Sequence, residues 1–321
     1  MSKMRMMPAI NSALAEEMER DEKVILYGED AGISLLGQTT GLQERFGKDR
    51  VRDTPICETI MTGMAVGAAA AGYRPICHLL YGNFIYTGFD SIANQAAKLK
   101  YMTAGQVILP IVYMAVIGGG RSAAAQHSDT PYPALMNLGG IKVVVPSSAR
   151  SAKGLLKAAI RDDNPVFYLT AGSGGKPEEV PDDDFILPIG KAEILREGKD
   201  MTIVAIGPMV MKAVEASIEL EKIGINAEII DLLSLLPIDE ETIINSVKKT
   251  GRLIIVDEAR DVCSAASHIA AIAADKAFNS LKAPVKRVTV NNLAIPYSPI
   301  LEDQVIPNVE NIINTAKELI Q

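Results

Sequence analysis

The chain has 321 residues, 48% of them hydrophobic, and 39 acidic against 32 basic side chains give a net charge of −7. That length suits two domains, and an acidic balance without a basic block argues against a nucleic-acid partner. No apolar run approaches the ~18 residues of a membrane helix, no secretory core follows the short N-terminus, and the dispersed Cys57, Cys77 and Cys263 form no metal spacing, so the expected compartment is a reducing cytoplasm.

Apolar β-type runs alternate with helical patterns along the whole chain, the signature of parallel α/β architecture. Pro8 opens a helix with Ile10, Leu14 and Met18 on one face. Residues 24–27 form a buried-type strand ending in Gly28-Glu29-Asp30, and residues 32–40 a glycine-rich loop without phosphate-loop spacing. Asp53-Thr54-Pro55-Ile56-Cys57-Glu58 then leads from extended chain into a helix, 62–72, built of glycine, alanine and other small side chains. A strand is expected over 75–80, a long helix over 83–101, and a strand over 107–117. That strand breaks into Gly118-Gly119-Gly120 and the polar loop Ala125-Gln126-His127-Ser128-Asp129. Strand 141–145, helix 149–161 and strand 166–169 complete this half.

Residues 172–184 are rich in Gly, Pro and acids and mark the domain boundary. The expected division is 1–175, a linker over 176–187, and 188–321. The second half repeats the α/β pattern, with strands over 192–195, 201–206, 227–232, 252–257 and 285–290. Its helices are expected over 209–223, 239–248, 263–279 and 309–320, with Cys263 as a buried helix residue.

Two residues stand out chemically. Glu58 sits where extended chain becomes a small-sided helix, a place that allows close backbone approach. One reading is an acid favoured by the helix dipole; the other is a buried carboxylate with a chemical task, since burial without a partner is costly. His127 lies in a polar loop after a glycine break, where a surface histidine and a proton-handling one both fit.

The motifs settle the matter in one direction. DTPICE, NFIYTGFDSIANQAAKLKYMTAG from Asn83, AAAQHS from Ala123, KGLLKAAIRDDNPV from Lys153, KTGRLIIVDEA from Lys249 and the LED…IP segment from Leu301 occur in this order. Together they resemble the beta subunit of thiamine-diphosphate-dependent 2-oxo acid and acetoin dehydrogenases over nearly the whole chain. The resemblance implies an N-terminal parallel-sheet pyrimidine-binding domain and a C-terminal α/β domain like that of transketolase. It implies that Glu58 contacts the ring nitrogen of the cofactor's aminopyrimidine and that Phe84 packs on that ring, with Ile56 and Glu29 also at the cofactor. His127 corresponds to an active-site histidine that handles protons or charge. Glu29 and Asp90 resemble members of a buried carboxylate network, and Ile111, Ala159, Ile160, Asp162 and Asn164 match a structural potassium site.

One half of such a site is missing from the sequence. Relatives bind Mg²⁺ and the diphosphate through a GDG motif followed by asparagine, and no GDG occurs here. The resemblance therefore implies an alpha subunit, an alpha2beta2 tetramer, and docking to a lipoyl acyltransferase core. The segment 77–83 departs from the usual acidic and aromatic pattern, with His78 where pyruvate-type relatives carry glutamate, and 170–175 replaces a longer segment. RSAAAQHS and VDEA…Cys263 tilt the expected substrate toward acetoin, with pyruvate or branched-chain 2-oxo acids as the alternative. A split-transketolase half and a non-catalytic assembly subunit are the remaining readings.

Overall fold

The computed structural model describes residues 1–172 and 175–320. Ser173 and Gly174, inside the expected connector, and Gln321 lie outside the described residues. The chain forms two compact units, Met1–Ile117 with Ala134–Ile189, and Gly118–Pro133 with Gly190–Gln321. The glycine break at 118 is thus a change of unit: the loop that carries His127 belongs to the second.

In the first unit, strands run Lys142–Val144, Val166–Ala171, Val112–Ile117, Arg74–Tyr81, Val24–Gly28 and Val51–Asp53 across the sheet, every neighbouring pair parallel. The central strands are buried on both faces, which explains their near-continuous apolar runs, among them Ile76, Leu79, Val112 to Ile117 and Val166 to Leu169. The strand expected over 107–117 begins only at Val112, after Pro110, which has no N–H to give to a ladder.

Helix Met6–Arg20 packs on helix Ala149–Arg161, which opens with a Ser148–Ser151 capping box. Between them, Lys157 Nζ lies 2.7 Å from Glu16 Oε2 and 2.6 Å from Asp184 Oδ1, and Arg161 Nη2 lies 2.6 Å from Glu17 Oε1. Buried charges survive only when paired in this way. Asp184, together with an antiparallel pairing of Ser2–Met4 with Glu178–Val180, makes the described part of the expected 176–187 linker an integral edge of the first unit. Its Pro/Gly composition reads as a free connector, yet the N-terminal strand, the buried Lys157 and the half-buried Arg161 hold it.

The helix expected over 83–101 is broken into a 3-10 turn, Gly82–Tyr86, a π-helix, Ser91–Ala96, and a short α-turn, Leu99–Met102. The cause is close packing against helix Glu58–Ala70. A Cβ on Gly88 would stand 2.4 Å from Thr62 Oγ1 and 2.9 Å from the Glu58 carbonyl oxygen, and one on Gly63 would stand 3.2 Å from Ser91 Oγ. Local helix propensity yields to this backbone contact.

The second unit carries strands in the order Lys286–Val290, Leu253–Arg260, Met201–Ala205, Ala227–Asp231 and Glu193–Arg196, all parallel except the last. Helices Met209–Lys222 and Val309–Ile320 pack together, as do Glu240–Thr250 and Ala265–Lys276. Ile203, Ala205, Val210, Ile229, Ile254 and Ile312 lie in its aliphatic core. Cys263 is not buried in a helix, as expected, but exposed in a left-handed turn with φ 55°. The helix starts after it because Ser264 is the residue whose hydroxyl can cap, accepting from Ser267 N.

The tight contact at Gly88 has a measurable consequence. Gly88→Ala is expected to destabilise the chain by about 1–3 kcal/mol, the usual cost of overpacking, read as a lower urea midpoint with unchanged m. Unchanged stability would remove the contact as the cause of the broken helix.

Candidate active site

Glu58 is the first residue of its helix, reached through strand Val51–Asp53 and the extended Cys57. A first-turn carboxylate there is favoured by the helix dipole. Two buried phenols fix the helix from the sheet side: Tyr27 donates to the Met61 carbonyl at 2.9 Å and Tyr113 to the Thr62 carbonyl at 3.1 Å. Thr62 in turn donates to the Glu58 carbonyl at 2.8 Å.

Facing Glu58 is Glu29, the residue after strand Val24–Gly28. The two are 8% and 4% exposed, so both carboxyl groups have lost most of their water. Burial, and then the charge of Glu58 and a hydrogen bond shared with it, push the Glu29 carboxyl up to about 7. No cation is among the groups acting on it, and Glu29 Oε1 has no hydrogen-bond partner. Near neutral pH Glu29 therefore retains part of the proton that an ordinary carboxyl group would have released.

Behind the pair lies a polar contact that the sequence reading did not anticipate. His78, buried on strand Arg74–Tyr81, places Nε2 2.6 Å from Gln38 Oε1, and the Gln38 amide reaches Thr170 Oγ1 at 3.5 Å. Burial lowers the His78 imidazole to about 4, against a smaller opposing pull from the Glu29 backbone, so it is neutral. The one signal in the sequence is a histidine inside an apolar strand.

Phe84 is half-buried and meets Tyr81 edge-on, ring centroids 5.7 Å apart at 84°. Ile56 is 81% exposed, an apolar side chain with no place in the core of its own unit. Asp90 is separated from the buried acids: it is exposed and accepts from Asn94 Nδ2 at 2.7 Å. Within the single chain, Glu29 and Glu58 are a buried carboxyl pair, and Asp90 stands apart from them.

His127 belongs to the second unit and ends a single 3-10 turn, Ala125–His127. It is half-buried, and its carbonyl accepts from Arg121 Nη2 at 3.0 Å. Farther along the loop, Asp129 Oδ1 receives Arg260 at 2.5 Å, and the Tyr132 hydroxyl donates to buried Asp257.

The residues matched to a potassium site are gathered in the first unit. The Ile160 and Asp162 carbonyls accept from Arg74 at 3.0 and 3.2 Å, and the Ile111 carbonyl from Val166 N at 2.8 Å. The Ala159 carbonyl accepts from Asp162 N at 3.3 Å. The Asp162 carboxylate pairs with Lys142, and Asn164 Oδ1 accepts from Lys100 at 2.7 Å. Three cationic side chains, Arg74, Lys142 and Lys100, thus already bond to this oxygen set, and a monovalent cation would have to share the second lone pairs of the carbonyls with them. Among the described residues no cluster of three or more His, Cys, Asp or Glu could hold a metal, and no helix is long and apolar enough to cross a membrane.

This architecture is that of the transketolase class. Residues 2–171 match the family described as "Transketolase, pyrimidine binding domain" and residues 190–312 the "Transketolase, C-terminal domain". The solved structure "Split gene transketolase, inactive beta4 tetramer" superposes with a TM-score of 0.83 at 27% identity, covering 99% of this chain and 98% of that one. More narrowly, the chain belongs to the beta subunits of thiamine-diphosphate-dependent acetoin and 2-oxo acid dehydrogenases. It is 45% identical to "Acetoin:2,6-dichlorophenolindophenol oxidoreductase subunit beta" of Bacillus subtilis (strain 168), covering 98% of this chain and 96% of that protein. It is 40% identical to "2-oxoisovalerate dehydrogenase subunit beta" over 99% of each, and 38% identical to "Pyruvate dehydrogenase E1 component subunit beta" over 100% of each, both of the same organism.

The chemistry of the carboxyl pair fits an aminopyrimidine: a buried acid pair with no salt-bridged cation among the described residues can share a proton with a ring nitrogen. Its titration is testable on the chain itself. Because Glu29 is raised from its ordinary 4.5, the folded form binds the extra proton, and stability falls as pH rises from 4.5 to about 7. Glu29→Gln removes that slope, so its Tm relative to the parent should climb over this interval and level off above it. A difference independent of pH would overturn the assignment. For the oxygen set at Ile160 and Asp162, replacing choline by potassium at constant ionic strength should raise the Tm, and an equal Tm in the two salts would leave the set without a cation role.

Proposed function

We propose that this chain is the beta subunit of a dehydrogenase that cleaves acetoin and passes the two-carbon unit to a lipoyl acyltransferase. The observation that carries the reading is the buried Glu58–Glu29 carboxyl pair at a helix start, without a cation to neutralise it. Thiamine diphosphate, when bound, supplies the carbon nucleophile that adds to a carbonyl and accepts the electron pair as the adjacent carbon–carbon bond breaks.

The chain's own residues hold and orient. Glu58 hydrogen-bonds the aminopyrimidine ring nitrogen and governs the proton there. Glu29, with its carboxyl at about 7, backs Glu58 and limits how much negative charge the pair carries. Phe84 offers an aromatic face to the pyrimidine, and exposed Ile56 an apolar contact beside it. His127 holds or moves a proton at the substrate oxygen.

Mg²⁺ and the diphosphate fall to an alpha subunit in an alpha2beta2 assembly, because the chain has no GDG segment. The split gene transketolase offers a parallel, since its beta4 tetramer is described as inactive. Acetoin is favoured as substrate by the 45% and 44% identities to acetoin-named subunits of Bacillus subtilis and Cupriavidus necator, against 38% and 40% for the pyruvate- and 2-oxoisovalerate-named ones. The second reading, oxidative decarboxylation of pyruvate or a branched-chain 2-oxo acid, rests on those latter relatives. It shares every step after cleavage with the acetoin reaction. A cytoplasmic location accompanies either reading.

The test is co-expression with the alpha partner and assay with thiamine diphosphate, Mg²⁺ and 2,6-dichlorophenolindophenol on acetoin, pyruvate and 2-oxoisovalerate. Acetoin should give the highest kcat/KM, and the beta chain alone should be silent. Glu58→Gln should lower kcat by about 10²–10⁴, the usual range for lost acid–base participation. Full activity of Glu58→Gln would overturn its role; a preference for a 2-oxo acid would move the substrate to the second reading.

A further inference from the structure

In the second unit, residues 118–124 have an unusual backbone. Gly118, Gly120, Ser122 and Ala124 have φ of 80°, 80°, 53° and 61°. Left-handed residues at every second position turn successive N–H groups toward one side, which makes a nest for an anion. Here the anions are internal. Gly119 N donates to Glu258 Oε1 at 2.6 Å, Gly120 N to Glu302 Oε1 at 2.8 Å, and Ser122 N to Glu302 Oε2 at 2.8 Å. Glu258 and Glu302 are 6% and 2% exposed.

The fit is close on both sides. A Cβ on Gly118 would stand 2.7 Å from Glu258 Oε2, and one on Gly119 would stand 2.6 Å from Ile306 Cδ1 and 3.0 Å from Glu302 Oε1. Arg121 then closes the loop, donating to the Gly118 and His127 carbonyls at 3.0 Å each, while Gly118 N donates to the Asp129 carbonyl at 3.2 Å. The carboxylates hold the N–H groups at the start of the loop, and the guanidinium ties that start to the residue at its far end.

We propose that Glu302, with Glu258, is a positioning residue: by filling this nest the two carboxylates set the course of loop 118–129 and so the place of His127. The inference rests on the reading of His127 as an active-site residue. Burial, joined by the charge of Asp257, pushes the Glu258 carboxyl up, and the Gly119 N–H, Lys212 and Arg121 offset only part of that shift. Gln at position 302 would keep the shape but set an amide NH₂ against one backbone N–H donor, leaving it unsatisfied.

The test uses the full chain, assembled with its alpha partner for kinetics. Glu302→Gln should speed amide exchange of peptides within 118–129 by at least about tenfold while the sheet strands stay protected. It should lower kcat by about 10- to 100-fold, the cost of a misplaced reacting group, with KM within about twofold. In a double-mutant cycle the pair Glu302→Gln/His127→Ala should be no slower than His127→Ala alone. Should Glu302→Gln fail to fold, Gly120→Ala, strained by its φ of 80° but with open space around its Cβ, should give the same signature.

Faster exchange with unchanged kcat, or with additive losses, would overturn the positioning role and leave His127 in place. Unchanged exchange would overturn the clamp itself. An active His127→Ala enzyme would overturn the underlying reading instead, so the two failures are distinguishable.

Discussion

A carboxyl group that is stripped of water and given no cation can keep its charge only if donors surround it; otherwise it keeps its proton. Glu29, buried beside Glu58, is in the second situation, and much of the first unit is arranged around the meeting of these two acids. The Glu58 helix reaches its place because its sides are small enough to let the 82–102 segment approach backbone to backbone at Gly88. Tyr27 and Tyr113 spend their buried hydroxyls on that helix's carbonyls. These contacts keep the helix where its first residue meets Glu29.

The second unit handles buried glutamates in the opposite way. Glu258 and Glu302 are as hidden as the first pair, but backbone N–H groups satisfy them. A satisfied carboxylate is a structural strut. An unsatisfied one, such as Glu29 with its orphaned Oε1, is a group waiting for a partner. The contrast explains why one pair is read as chemistry and the other as architecture, although composition treats all four residues alike.

Much of this was legible in the chain. DTPICE before a small-residue helix marked Glu58, and the helix Ala149–Arg161 was readable to its last residue because its apolar spacing and its Ser148 cap agree. Glu29 was legible only through resemblance, since an acid after a strand has no local mark of burial. Asp90 is exposed in the single chain, apart from the Glu58–Glu29 pair. His78 and Gln38 lie 40 residues apart, and nothing in either neighbourhood announces their contact.

Local pattern, then, determined the order of strands and helices and the two-domain division, because side-chain periodicity and turn residues act over a few positions. Tertiary structure alone decided which acids lose their water, why the 83–101 helix breaks, that the 176–187 edge belongs to the first unit, and that loop 118–129 folds with the second. Those outcomes depend on groups brought together from distant parts of the chain, where desolvation and backbone contact outweigh local preference.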